Sequence, residues 1–105
     1  MRAVLLVVML SVVLTACGPA PATVAGYVVD VKSTSLTQVD VFTIRSTDGE
    51  LVTLRVGRLE LDGGGFPAGH LREHMATNSP VAVGYREEGG EKIAYRLVDA
   101  PWVKP

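Results

Sequence analysis

Residues 39–56 read VDVFTIRSTDGELVTLRV, and this stretch indicates the fold. Residues 39–45 are rich in β-branched and aromatic side chains, and they lead into Asp48-Gly49, a dipeptide that tolerates the positive φ angles of a tight turn. In the second half, valine and leucine alternate with threonine and arginine, which is typical of a half-buried strand. The stretch therefore predicts a hairpin of two strands, residues 39–45 and 50–56.

Three further strands and one helix are predicted around this hairpin. The strands are expected at residues 23–32, 80–86 and 91–98, where valine-rich or alternating segments are bounded by glycine and polar turns. Pro67 opens the helix, in the first-turn position that proline prefers, and the helix runs to about Thr77. The predicted order is three strands, a helix and two strands.

Local details of these elements are also predicted. Gly26 interrupts the first strand and is expected to mark a bulge or a sharp bend. Leu71 and Met75 belong to the apolar stripe of the helix, so we expect both to face inward. The last strand, residues 91–98, is expected to alternate strictly between its two faces.

This element order resembles the OB-fold, a five-stranded Greek-key barrel. The resemblance implies a mainly β fold class: a small five-stranded OB-like barrel with one helix between strands 3 and 4. The domain is also similar to small uncharacterised OB-like lipoproteins of the bacterial envelope, a likeness that rests on element order. An SH3-like barrel and an open sheet with one helix across it are the alternatives.

The N-terminal region carries the pattern of a lipidation signal. Arg2 precedes an apolar run, residues 3–14, which suits the core of a secretory signal and is shorter than the roughly 17–25 residues of a spanning helix. Residues 14–17, Leu-Thr-Ala-Cys, resemble the lipobox of bacterial lipoproteins. That resemblance implies transfer of a diacylglyceryl group to the Cys17 thiol, cleavage before it, and acylation by chains such as palmitate.

The lipobox resemblance divides the chain into three parts. Residues 1–16 are the predicted lipoprotein signal peptide, 17–22 the lipidated cysteine with a Pro/Ala tether, and 23–105 the OB-like barrel domain. Two or more acyl chains hold a protein stably at a membrane. The sequence therefore predicts a domain outside the cytoplasm, anchored through lipid to the cell membrane or the outer membrane. Because Cys17 is the sole cysteine, lipidation leaves the domain without a disulfide or a redox thiol.

The charge of the mature chain argues against nucleic-acid binding. Without residues 1–16 the chain has 9 basic against 11 acidic residues, so it lacks the basic surface that attracts phosphate backbones. Recognition of an envelope protein or a glycan fits this charge better. Tyr27 and Trp102 are the candidate residues of such a partner surface. Other aromatic and arginine residues considered for it are Phe66, Tyr85, Arg55, Arg58 and Arg72.

The helix contains the pattern His70-Leu71-Arg72-Glu73-His74, which matches the spacing of the inverted zinc peptidases. His70 and His74 lie one turn apart and can bind one metal ion, and Glu73 could poise a water. Those peptidases are much larger and supply a further carboxylate far downstream. A solvated helix face, with Leu71 and Met75 turned inward, is the simpler interpretation.

These observations predict an envelope lipoprotein that is not an enzyme and has no catalytic residues. It would act as a membrane-anchored binding or accessory module, with no cofactor apart from the covalent lipid at Cys17. The alternative is a metal-binding lipoprotein that holds zinc through His70 and His74, with Glu73 as a weaker partner. A small metallohydrolase is the least favoured hypothesis.

Overall fold

The computed structural model describes residues 20–101. Five strands and one short helix follow one another in the predicted order. They are β1 (Ala22–Lys32), β2 (Val41–Ser46), β3 (Leu51–Val56), a 3-10 turn (Ala68–His70) that continues into α1 (Leu71–Thr77), β4 (Val81–Glu88) and β5 (Glu91–Asp99).

Several predictions concern the two ends of the chain, which lie outside residues 20–101. The signal peptide, residues 1–16, lies outside the described residues, as do Cys17 and Trp102. Of the predicted tether, residues 17–22, the structure describes only residues 20–22. Within residues 20–101, no helix has the length and apolar character needed to cross a bilayer.

The five strands form a closed barrel in the order β1-β2-β3-β5-β4. All neighbouring pairs are antiparallel except β3 and β5, which run parallel where the barrel closes. β1 is long enough to pair with β4 through its first half and with β2 through its second. The predicted mainly β fold class, a five-stranded OB-like barrel with one helix between strands 3 and 4, is confirmed.

The hairpin predicted from residues 39–56 is present. The backbone N–H of Gly49 donates to the Ser46 carbonyl at 2.9 Å, and Gly49 has a φ of 91°. In the same turn the Ser46 hydroxyl donates to the Asp48 carboxylate. This hydrogen bond, together with one from the Glu50 backbone N–H, holds the pKa of Asp48 below its ordinary value.

The irregularity predicted in β1 has two parts. At Gly26 the backbones approach so closely that a Cβ would lie 2.1 Å from the Arg45 carbonyl oxygen, which only glycine permits. The bulge itself comes later, because the register with β2 shifts between Val28 and Asp30 and leaves Val29 as the extra residue. Together these features let one strand bend between two neighbours.

The barrel interior is filled by side chains from all five strands and from α1. Burying a large aliphatic or aromatic side chain contributes about 1.5–3 kcal/mol. The buried apolar residues are Val28, Val39, Phe42, Ile44, Leu54, Phe66, Leu71, Val81, Val83, Ala94 and Leu97.

β5 does not alternate strictly, contrary to the prediction. Gly84 lies opposite Arg96 while Tyr85 lies opposite Ala94, so Tyr95 is an extra residue in β5. Such a bulge shifts the faces by one position. As a result Ala94 and Leu97, three residues apart, both face the core.

The inward face of the helix also differs from the prediction. Leu71 is fully buried as expected, but Met75 is 40% exposed and His74 is only 5% exposed. The helix therefore buries two residues spaced by three, and the second of them is a histidine. The helix ends at Thr77 as predicted, and Asn78, in the left-handed conformation with a φ of 53°, caps it.

Candidate metal site

His74 is held against the barrel by an aromatic neighbour. Its ring stacks on Phe66 at a centroid distance of 4.8 Å and an interplanar angle of 16°. Phe66 is itself fixed because it belongs to the core and its backbone N–H donates to the Leu97 carbonyl at 2.9 Å. The orientation of the His74 ring is thus set by the packing of Phe66.

Both nitrogens of His74 face oxygen acceptors. Nδ1 lies 3.1 Å from the Ser79 carbonyl oxygen, and Nε2 lies 2.8 Å from Asp99 Oδ1. A carbonyl oxygen only accepts, so the Ser79 contact suits the tautomer with its hydrogen on Nδ1, and Nε2 faces the Asp99 carboxylate. His74 Nε2 and Asp99 Oδ1 are therefore two potential metal ligands that already lie in contact.

His70 is oriented by the neighbouring turn of the helix. Its Nδ1 lies 2.8 Å from Glu73 Oε2, which leaves Nε2 as the ring nitrogen available to a ligand. The His70 ring packs edge-on against Phe66 at 4.8 Å and against His74 at 5.0 Å. The structure therefore brings together the two histidines that the sequence predicted as metal ligands.

Asp99 reaches the histidines because of the path of the chain after the helix. The Asn78 cap turns the backbone so that β4 begins at Val81, and Asp99, the last residue of β5, lies opposite Val81 in the ladder. The Ala100 N–H also donates to the Pro80 carbonyl at 3.2 Å. This closure sets the Asp99 carboxylate beside the last turn of α1.

The three side chains form a group that can hold a metal ion. One ring nitrogen from each of His70 and His74 and one carboxylate oxygen of Asp99 lie within 4.8 Å of one another. Tetrahedral zinc, with Zn–N distances of about 2.0–2.1 Å, needs ligand atoms about 3.3 Å apart. The observed separations of up to 4.8 Å exceed this spacing by about 1.5 Å, so the side chains must move closer together to hold zinc.

The hydrogen bonds of the two rings match those of metal-binding histidines. Such histidines donate their second N–H to a carboxylate or a backbone carbonyl, which fixes the tautomer and the ring orientation. Glu73 supplies the carboxylate for His70, and Ser79 supplies the carbonyl for His74. Glu73, predicted as a weaker metal partner, thus contacts a candidate ligand.

The group borders an open groove of about 440 Å³ on the helix side of the barrel. His70, Glu73, His74, Thr77, Ser79, Pro80, Asp99 and Ala100 line this groove. The last turn of α1 forms one wall, and the start of β4 with the end of β5 forms the other. A ligand of small size can approach the three donors from solvent.

The predicted partner surface is described only in part, since Trp102 lies outside residues 20–101. Tyr27 is half-buried in β1, opposite Arg45, and is not among the residues that line the groove. Phe66, considered for the same surface, is buried beneath the histidines. Tyr85 packs against the core.

Two arginines considered for that surface have local partners. Arg72 donates to the carbonyl oxygens of Leu36 at 3.1 Å and Ser35 at 3.3 Å, which ties the helix to the loop between β1 and β2. Arg55 forms an exposed ion pair with Glu91 at 3.6 Å.

Sequence reasoning found the two histidines and missed Asp99. The helical spacing of His70 and His74 is visible in the sequence, whereas Asp99 joins them only through the pairing of β4 with β5. The signal that could have found it is the short connection between the predicted strands 80–86 and 91–98, which favours an antiparallel hairpin. Its pairing sets the end of the last strand beside the start of the previous one, directly after the helix.

No protein-family model, curated protein or solved structure matches this chain.

Proposed function

We propose that this chain is a membrane-anchored envelope lipoprotein whose barrel is a non-catalytic module that binds one divalent transition-metal ion. The convergence of His70, His74 and Asp99 within 4.8 Å carries the metal proposal. The lipobox-like segment that ends at Cys17 supports the anchor and the location outside the cytoplasm.

Zinc is the ion that this donor set fits best. Magnesium and calcium prefer sites made of oxygen ligands, whereas imidazole nitrogen suits zinc, copper, iron and nickel. Two imidazoles with one carboxylate are a common zinc set. The acceptors on both Nδ1 atoms support binding through Nε2, the nitrogen that each ring leaves for a ligand.

A binding role without catalysis is supported by the contact of Glu73. In a zinc hydrolase a carboxylate beside the metal acts on a bound water. Here Glu73 Oε2 accepts a hydrogen bond from His70 Nδ1 at 2.8 Å, so this carboxylate orients a ligand. The proposal therefore treats Glu73 as a positioning residue.

The position of the site suits a short membrane tether. β1 begins at Ala22, five residues after Cys17. Asp99 pairs with Val81, and Val81 pairs with Gly26 of β1. Gly26 is four residues after Ala22, the first residue of β1. That separation is about 13 Å along the strand. The groove is thus displaced from the tether junction and is open to ions from solution.

Metal binding is tested with the full-length protein purified in detergent. We expect one zinc ion per chain by metal analysis after dialysis, and a higher thermal midpoint with zinc than with chelator, because an ion that binds only the folded state stabilises it. His74→Ala and Asp99→Asn should each lower the zinc affinity at least about tenfold. Glu87→Gln, which changes a carboxylate paired with Lys92 at 3.2 Å, is the matched control.

Two results would overturn the metal proposal. One is the absence of stoichiometric zinc together with an unchanged thermal midpoint. The other is equal loss of zinc in Asp99→Asn and in the Glu87→Gln control.

The anchor has a separate test. Cys17→Ser should leave an uncleaved precursor that takes up no radiolabelled palmitate in cells, while the wild-type chain is labelled and found in the membrane fraction. Unchanged labelling of Cys17→Ser would refute the lipobox interpretation without affecting the metal proposal.

A further inference from the structure

The three candidate ligands leave part of the coordination sphere to the groove. His70 is the last residue of the 3-10 turn before α1, His74 lies in α1, and Asp99 is the last residue of β5. Among residues 20–101, the metal-ligating group contains these three side chains and no fourth imidazole, thiolate or carboxylate. The groove is also lined by Glu73, and the rest of its lining is Thr77, Ser79, Pro80 and Ala100.

Glu73 is the remaining carboxylate of the groove, and it is already engaged. Its Oε2 lies 2.8 Å from His70 Nδ1, which is the outer nitrogen of a candidate ligand. If Glu73 moved to the metal, His70 would lose the acceptor that orients it. Zinc takes four ligands, and a site with three protein ligands keeps the fourth position for a water or an external donor.

Charge favours an anion at that fourth position. A divalent ion with two neutral imidazoles and the Asp99 carboxylate has a formal charge of +1. The Ser79 hydroxyl can assist the anion. Thr77 Oγ1 donates to the Glu73 carbonyl at 2.8 Å, so in the 2.8 Å contact between the hydroxyls of Thr77 and Ser79 it is Ser79 that donates. That donor lies on the groove wall and can rotate towards a bound oxygen.

We propose, resting on the metal-binding function proposed above, that the bound ion takes a carboxylate from outside the chain at its fourth coordination position. The protein then acts as a receptor in which the ion bridges the barrel and an acidic ligand. The carboxylate belongs either to a small organic acid or to an acidic side chain of a peptide, since the groove of about 440 Å³ admits both.

The test uses Co²⁺ as a spectroscopic substitute for zinc in the full-length protein in detergent. The visible absorption of Co²⁺ depends on the number and geometry of its ligands. We expect acetate to change the spectrum saturably, with one acetate per ion, while sodium perchlorate at the same ionic strength leaves it unchanged. An acetylated tripeptide amide with a central aspartate forms the second arm. If the peptide reaches half-saturation at a concentration at least tenfold lower than acetate does, the carboxylate comes from a peptide. If acetate reaches half-saturation at the lower concentration, the carboxylate comes from a small acid.

Thr77→His provides the matched variant. Residue 77 lies three positions after His74 on the same helix and lines the groove, so an imidazole there can fill the fourth position from within the chain. We expect this variant to bind Co²⁺ more tightly and to lose the response to acetate. Wild-type protein should keep the response.

The outcomes separate this inference from the function on which it rests. Wild-type protein that takes up no Co²⁺ and no zinc overturns both. If wild-type protein binds one Co²⁺ but neither acetate nor the peptide changes its spectrum, the proposal of an external carboxylate is refuted and the metal-binding function is not. An acetate response that persists equally in Thr77→His also overturns it, because the response then arises away from the fourth position.

Discussion

His74 Nε2 lies 2.8 Å from Asp99 Oδ1, across the junction between the helix and the last strand. The two partners differ in environment, since the His74 side chain is 5% exposed and that of Asp99 is 78% exposed. The histidine is fixed by the fold, and the carboxylate stays accessible to solvent and to ions. A metal ion that enters the groove therefore meets two candidate ligand atoms that are already in contact.

Glu73→Gln should weaken zinc binding without unfolding the protein. Glutamine keeps an acceptor oxygen for His70 Nδ1 but has no charge, so it makes the His70 ring a poorer ligand. We expect the zinc affinity to fall about 10–100-fold, measured by competition with a chromophoric chelator. The thermal midpoint in chelator should stay within error of wild type, because the Glu73 side chain is 66% exposed. An unchanged zinc affinity would contradict the positioning role of Glu73.

The inward face of the helix is tested by two alanine substitutions. Leu71 is fully buried, so Leu71→Ala should lower the free energy of unfolding by about 2–5 kcal/mol. Met75 is 40% exposed, and Met75→Ala should cost less than about 1 kcal/mol. Urea unfolding of both variants in chelator measures the two values. Equal losses would show that Met75 faces the core as the sequence suggested.

Gly26→Ala should be among the most damaging small substitutions in the barrel. The added Cβ would lie 2.1 Å from the Arg45 carbonyl oxygen. This oxygen belongs to the backbone of the paired strand β2, so it cannot move aside as the end of a flexible side chain could. We expect a loss of at least about 2 kcal/mol in the free energy of unfolding, or failure to fold. Gly69→Ala is the control, since its Cβ would lie 3.2 Å from the Thr37 carbonyl in an exposed loop. Its cost should stay below about 1 kcal/mol, and equal stability of Gly26→Ala and wild type would contradict the close approach.

Ser46→Ala should raise the pKa of Asp48 towards that of an ordinary aspartate. The Ser46 hydroxyl is the largest cause of the lowered pKa, with the Glu50 backbone N–H second. A lowered pKa in the folded state stabilises the protein above the ordinary carboxyl pKa, and this stabilisation is lost as the pH falls through the folded value. The stability difference between wild type and variant should therefore shrink in acid.

Carboxyl-carbon NMR titration of Asp48 measures this pKa directly. Thr47→Ala, in the same turn, is the control and should leave the Asp48 titration unchanged. A Ser46→Ala titration that coincides with wild type would show that the hydroxyl is not the cause.

The barrel could be predicted from the sequence because its signals are local. Alternation in residues 50–56 and the Asp48-Gly49 turn each reflect neighbouring residues, and the order of elements then restricts the topology. The bulge at Tyr95 could not be predicted in this way. β5 pairs with β4 on one side and with β3 on the other. The extra residue shifts the register of β5 so that both pairings can form.

The candidate site was predicted in part for a similar reason. The i, i+4 spacing placed His70 and His74 on one side of the helix. Hydrophobicity then suggested that Met75 would be buried, yet His74 occupies the inward position because it stacks on Phe66 and bonds to Ser79 and Asp99. Those contacts join separate segments of the chain, so no local pattern of apolar residues reveals them.

The pairing of β1 on both sides has a mechanical consequence for the lipid anchor proposed at Cys17. Ala22 pairs with Tyr85 at the first position of the β1–β4 ladder, and the second half of β1 pairs with β2. A pull directed along β1 would load the hydrogen bonds of the ladder in shear, because these bonds run perpendicular to the strands. β1, which pairs with β4 and with β2, is thus also the strand through which force from the proposed anchor would enter the domain.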